Sequence, residues 1–169
     1  MFIAIVQHTP VWVWGLLSVL VALGLWQARD REMSLRRITV LPLVMIVLSL
    51  SGVLSAFGPA PVALSSWAVG AVIALALARQ WLGVRGAKWS PGARALLVPG
   101  SWLPLALMLG LFAVKYFAGY SLAMNPALVR DAAFAGLCSL AYGSASGIFM
   151  ARALALRGLA TSSRMTQAA

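Results

Sequence analysis

Acidic residues are nearly absent from this chain of 169 residues, which carries three Asp or Glu against 13 Lys or Arg. It also has a single histidine and a single cysteine, Cys138, so an intramolecular disulfide and a zinc site of the usual ligands are excluded. Paired carboxylates for acid–base catalysis, a Ser-His-Asp set and a phosphate-binding loop are all missing from the sequence. We therefore expect no metal, no cofactor and no enzymatic activity.

Charged residues of both signs are scarce, and apolar residues dominate. The chain is 62% hydrophobic and 9% charged, with a mean hydropathy of +0.94, whereas soluble globular proteins are about 45–50% apolar and about 25% charged. This composition predicts that a lipid bilayer is the solvent. In a soluble protein the net charge of +10 would suggest nucleic acid. Because the basic residues here fall between apolar runs, membrane topology explains them and no nucleic-acid partner is expected.

Five stretches are long and apolar enough to be considered as membrane spans, which need roughly 20 residues. They cover residues 10–27, 38–57, 62–82, 102–122 and 129–154, and the apolar character of the first extends back to residue 2. Lipid tolerates no open sheet edge, so all five are expected to be α-helical. The sequence thus predicts one all-α domain over residues 1–169, an integral membrane bundle of five transmembrane helices.

The basic residues predict the orientation of this bundle. Eleven of the 13 fall on one side: Arg29, Arg31, Arg36, Arg37, Arg79, Arg85, Lys88, Arg94, Arg152, Arg157 and Arg164. The opposite loops, 58–61 and 123–128, carry no charge. The positive-inside rule then places the N-terminus outside and the C-terminus in the cytoplasm. Anionic lipid headgroups at the cytoplasmic face are the expected partner of the basic loops.

The longest connection is the cytoplasmic loop 84–101, with the sequence VRGAKWSPGARALLVPGS. A Ser-Pro-Gly turn at residues 90–92 lies between flanks that mix Val, Leu and Trp with Arg and Lys. This pattern predicts a short amphipathic hairpin or loop on the headgroups, with a functional gate as the alternative.

Lys115 is a charged residue inside the fourth predicted span, in the stretch LGLFAVKYFAGYSL. A charge within the membrane is costly and tends to face a partner, a cavity or the headgroups. The one acidic residue on the same side is Asp131, at the start of the fifth span. We predict a Lys115–Asp131 ion pair, with a snorkelling lysine or a solute-binding lysine as the alternatives.

Small residues recur every four positions along the fifth predicted span, at Ala135, Ser139, Gly143 and Gly147. A face of small side chains lets helix backbones approach closely, which is how membrane helices gain packing energy. The pattern predicts a helix-packing face. Either another helix of the same chain or a second copy in a homodimer would cover it.

Several blocks of sequence resemble a known family. They are QHTPVWVW at 7–14, SLRRITVLPL at 34–43, PGSWLPLALMLGLFAVKY at 99–116 and RDAAFAGLCSLAYG at 130–143. In this order they resemble an uncharacterised family of small five-span bacterial inner-membrane proteins, a domain of unknown function. The resemblance implies a multi-pass protein of the bacterial inner membrane, and it supplies no activity and no site residues.

Two functions remain open from sequence. One is a small homo-oligomeric transporter or channel for a small solute or ion, with Lys115 and Asp131 beside the small-residue face of the fifth helix. The other is a non-catalytic membrane scaffold or assembly partner, for which that face is a docking surface. A membrane enzyme is disfavoured because acid–base groups are missing.

Overall fold

The computed structural model describes residues 11–81, 88–90 and 95–168. Its five helices are α1 (Val11–Gln27), α2 (Leu35–Phe57), α3 (Pro61–Trp81), α4 (Leu103–Met124) and α5 (Ala132–Ala168). Three short strands are β1 (Arg31–Ser34), β2 (Lys88–Ser90) and β3 (Ala95–Val98), and a 3₁₀ turn (Pro126–Arg130) connects α4 to α5. The predicted extension of the first helix to residue 2, and most of the turn predicted at 90–92, lie outside the described residues.

The helices α2 to α5 are each long and apolar enough to cross a membrane, while the described part of α1 is apolar but shorter. Large apolar side chains point away from the bundle, and Val47, Val72 and Leu137 are 65–71% exposed. Such a surface is unfavourable in water and favourable against lipid tails. The length of the helices and their exposed apolar surface are those of a helical bundle in a multi-pass membrane protein.

The helix α5 lies at the centre of the bundle. Half of its most apolar stretch is buried inside the protein, against 11% for α4. The most extensive packing is between α3 and α5, followed by α2 against α5, whereas α1 packs mainly against α4. A core cluster that includes Val53, Phe57, Cys138 and Tyr142 fills the space between these helices.

The three strands form an antiparallel sheet in the order β1-β3-β2 at one end of the bundle. We call this the sheet end, and the opposite end, at residues 58–60 and 125–131, the loop end. The antiparallel pair β2–β3 lies within residues 84–101, where the sequence predicted a hairpin or loop, whereas β1 was not predicted. Leu96 and Val98 of the sheet are buried against Ala153 and Leu156 of α5. Because this contact stabilises further helical turns, α5 continues past the predicted end at residue 154.

Candidate functional site

Lys115 and Asp131 belong to the half of the bundle nearer the loop end, and their side chains make different contacts. The carboxylate of Asp131 caps α5, accepting hydrogen bonds from the backbone N–H groups of Ala133 at 2.8 Å and Phe134 at 3.3 Å. Lys115 is exposed on α4, about 14 Å of helix before Met124. Within the described residues no ion pair joins the two side chains. Asp131 Oδ1 is thus engaged in the helix cap, and the predicted pair has no support in the structure.

The small-residue face of α5 packs against α3. Ala135, Ser139, Gly143 and Gly147 are all buried, and a Cβ atom placed on either glycine would overlap backbone atoms of α3. At Gly143 the overlap is with the carbonyl of Trp67, and at Gly147 it is with the carbonyl of Ala71. Because α3 covers this face, a homodimer seam at the same place would require α3 to leave.

A polar network that the sequence did not indicate crosses the bundle centre. The buried Ser49 hydroxyl of α2 donates to the Tyr142 carbonyl of α5 at 3.0 Å and accepts from Trp67 Nε1 of α3 at 2.9 Å. Ser146 also donates to the Tyr142 carbonyl, at 3.1 Å. These bonds join three helices and satisfy polar groups that lipid cannot hydrate. The role of this network is structural.

A cavity of about 370 Å³ lies between α1 and α2 at the sheet end. We call it the lateral cavity. Most of its lining is apolar, and its charged members are Glu32, Arg36 and Arg37. The lining consists of Leu23, Trp26, Gln27, Glu32, Met33, Arg36, Arg37, Val40, Leu41, Val44, Met45 and Met108. Its volume falls at the lower end of the range typical of small-molecule sites.

The lateral cavity is about one lipid leaflet deep. Along α2 its lining extends from Arg36 to Met45, which at 1.5 Å per residue is about 14 Å, roughly half the thickness of a bilayer hydrocarbon core. The charged side chains lie at the sheet end of this depth and the apolar ones further in. This arrangement matches a molecule with a polar head and an apolar tail.

A comparison with known families matches residues 1–167 to a family of unknown function, DUF6622. The chain belongs to this family. Comparisons with curated proteins and with solved structures found no match. The DUF6622 assignment confirms the resemblance to an uncharacterised family and brings no assigned site.

The wall that α1 contributes to the site of this DUF6622 chain is fixed by residues 100–101. The Gly100 N–H donates to Asp30 Oδ1 at 2.7 Å, and the Ser101 N–H donates to the Gln27 carbonyl at 3.3 Å. A Cβ atom on Gly100 would overlap the Ala28 carbonyl, so this close approach requires glycine. The end of α1 is thereby held against residues 100–101, and the cavity lies between α1 and α2.

A second cavity of about 30 Å³ adjoins the lateral cavity and leads toward α5. The two share Gln27, Met33, Arg37 and Leu41 in their linings. Arg152 of α5 lines this inner cavity, and its Nη1 donates to Ser101 Oγ at 3.0 Å. Two guanidinium groups therefore line a space with room for about one water molecule.

Two residues of this site stood out in the sequence, but membrane topology was enough to explain them. Arg36 and Arg37 are the second and third residues of α2, where positive charge opposes the helix dipole and lowers helix stability. The positive-inside rule explains both arginines without any ligand. The cavity between α1 and α2 is a tertiary feature, and no local pattern in the sequence predicts it.

Proposed function

We propose that the protein is a non-catalytic membrane protein that binds one amphiphilic lipid molecule in the lateral cavity. The observation that carries this proposal is the cavity itself, with apolar walls, a charged rim and the depth of one leaflet. An acyl chain gains little by leaving one apolar surface for another, so binding depends on shape and on the polar rim.

The same geometry favours binding over conduction. The lateral cavity does not reach Lys115 or Asp131, the residues on which the expected channel or transporter depends. The lateral cavity also ends about halfway through the thickness of a bilayer. Of the two functions expected from sequence, the non-catalytic membrane partner therefore has the stronger support, with a bound lipid as its ligand.

In the orientation that we propose, the sheet end faces the cytoplasm and the membrane is the bacterial inner membrane. The support is the distribution of basic residues, which places Arg29, Arg36, Arg37 and Arg157 near the sheet. The bound lipid then belongs to the cytoplasmic leaflet.

Filling the lateral cavity tests the proposal. Val44 lines the cavity, whereas Val47 lies on the same helix, is 65% exposed and does not line it. We expect native mass spectrometry of the wild-type protein, released gently from lipid nanodiscs, to show one retained lipid. The Val44→Trp protein should lose this lipid because the indole occupies its space, and the Val47→Trp protein should keep it.

Equal retention by both variants would mean that the lipid is part of the general shell around the helices. A wild-type protein that retains no lipid under conditions that keep it folded would also contradict the proposal. Circular dichroism of both variants checks that each remains helical.

A further inference from the structure

We infer that the head group of the bound amphiphile is an oxyanion, a carboxylate or a phosphate, and that Arg37 and Arg152 bind it. The inference rests on the proposed function and deepens it, because it assigns the chemical class of the ligand and the residues that select it. The apolar walls of the lateral cavity alone would accept a neutral amphiphile equally well.

In the part of the chain that the structure describes, the surroundings of Arg152 leave its positive charge without an acidic partner. Its side chain is partly buried and hydrogen-bonded to Ser101 Oγ, which satisfies one of five guanidinium N–H groups. Among the described residues no acidic side chain forms an ion pair with it. A buried charge without a counter-charge is costly, and more so within a membrane. An anionic ligand at the inner cavity would provide the missing charge.

Arg37 connects the two cavities. It lines both of them and lies in the first turn of α2, which contains no acidic residue. The helix dipole adds positive potential at this end. Arg36 and Glu32 complete the charged rim of the lateral cavity, so the rim is net positive before Arg152 is counted. Planar guanidinium groups suit carboxylate and phosphate oxygens.

The volume of the inner cavity limits how the head group is bound. At about 30 Å³ it admits one water-sized group. A whole phosphate cannot enter, so Arg152 receives a single ligand oxygen or a bridging water while Arg37 binds the head group from the lateral cavity. Arg152 then acts as a specificity-determining residue, and the chain is held by the apolar walls around Val44.

Two probes with the same chain and different heads test the inference. Oleate carries a carboxylate, and oleyl alcohol carries a hydroxyl. Each is titrated into the wild-type protein in phosphatidylcholine nanodiscs at alkaline pH, and inorganic phosphate is added as a head group without a chain. We expect oleate to bind about tenfold more tightly than the alcohol, as a charge-assisted hydrogen bond provides. Phosphate alone should not displace it.

Matched variants locate the selectivity. Arg152→Gln and Arg37→Gln should each bring the affinity for oleate close to that for the alcohol. Arg157→Gln is the control, because Arg157 lies on α5, is exposed and lines neither cavity. It should leave the preference for oleate unchanged. Arg37 is exposed, so its variant remains informative if the Arg152 variant fails to fold.

The outcomes separate this inference from the proposed function. Equal binding of oleate and the alcohol by the wild-type protein would overturn the oxyanion assignment and leave amphiphile binding intact. Binding of neither probe would overturn both. Displacement of oleate by inorganic phosphate would show a site for free anions, and a preference for oleate that survives both arginine variants would place the head group elsewhere.

Discussion

Ser49 connects three helices through one hydroxyl group. The Ser49 hydroxyl of α2 donates to the Tyr142 carbonyl of α5 and accepts from the Trp67 indole N–H of α3. In a hydrocarbon environment no water replaces these bonds once they are lost. A polar residue of this kind therefore fixes how three apolar surfaces align.

Replacing Ser49 should destabilise the fold through these bonds. We expect Ser49→Ala to lower the free energy of unfolding by about 1–2 kcal/mol. In this variant the Trp67 indole N–H loses its acceptor and the Tyr142 carbonyl loses one of its donors. Ser51→Ala is the control, since its exposed hydroxyl bonds only to the Leu48 carbonyl of its own helix. Unfolding by denaturing detergent, followed by circular dichroism, measures both. Equal stabilities of the two variants would count against this role.

At the scale of elements, α3 and α5 approach closely enough for their backbones to touch, and glycine makes this possible. The sequence predicted a packing face on the fifth helix from the four-residue spacing alone. It left the covering element open, because spacing shows which residues share a face and not what lies against it. The glycine contacts identify that element as α3.

A single methyl group should disturb this contact. We expect Gly143→Ala to lower the free energy of unfolding by roughly 1–3 kcal/mol, because the added Cβ overlaps the Trp67 carbonyl and forces the two backbones apart. Gly119→Ala on α4 is the matched control, since no atom lies within 4 Å of its added Cβ. Its stability should be unchanged or slightly raised. If the two variants unfold alike, the close approach of α3 and α5 is wrong.

The sequence predicted helices better than their ends and connections. Apolar length indicated all five helices, because a membrane span leaves a continuous local signal. The strand β1 pairs residues 31–34 with residues 95–98. These segments are distant in sequence, and neither contains a local pattern that predicts the pairing. The lateral cavity has the same origin, since residues of α1, β1, α2 and α4 line it together. The Lys115–Asp131 pair was predicted from charge and position alone, and that pattern did not indicate that Asp131 caps α5.

For the whole molecule, the distribution of basic residues predicts which end of the bundle meets the cytoplasm. Arg29 and Arg31 precede α2 at the sheet end, Arg36 and Arg37 lie in the first turn of α2, and Arg157 lies in the second half of α5. We expect a fluorescent protein fused to the C-terminus to fluoresce in bacterial cells and alkaline phosphatase fused there to be inactive. An active phosphatase together with a dark fluorescent fusion would reverse the topology and assign the cavity to the outer leaflet.

Covalent labelling of the lateral cavity tests the central claim most directly. A fatty acid with a photoreactive group on its chain is equilibrated with the protein in nanodiscs, irradiated, and the labelled peptides are identified by mass spectrometry. We predict labelling concentrated at the cavity-lining residues Leu23, Trp26, Val40, Leu41 and Val44, and its loss in the Val44→Trp protein. Labelling spread evenly over exposed apolar residues of α3, such as Val72 and Leu77, would contradict a specific lipid site.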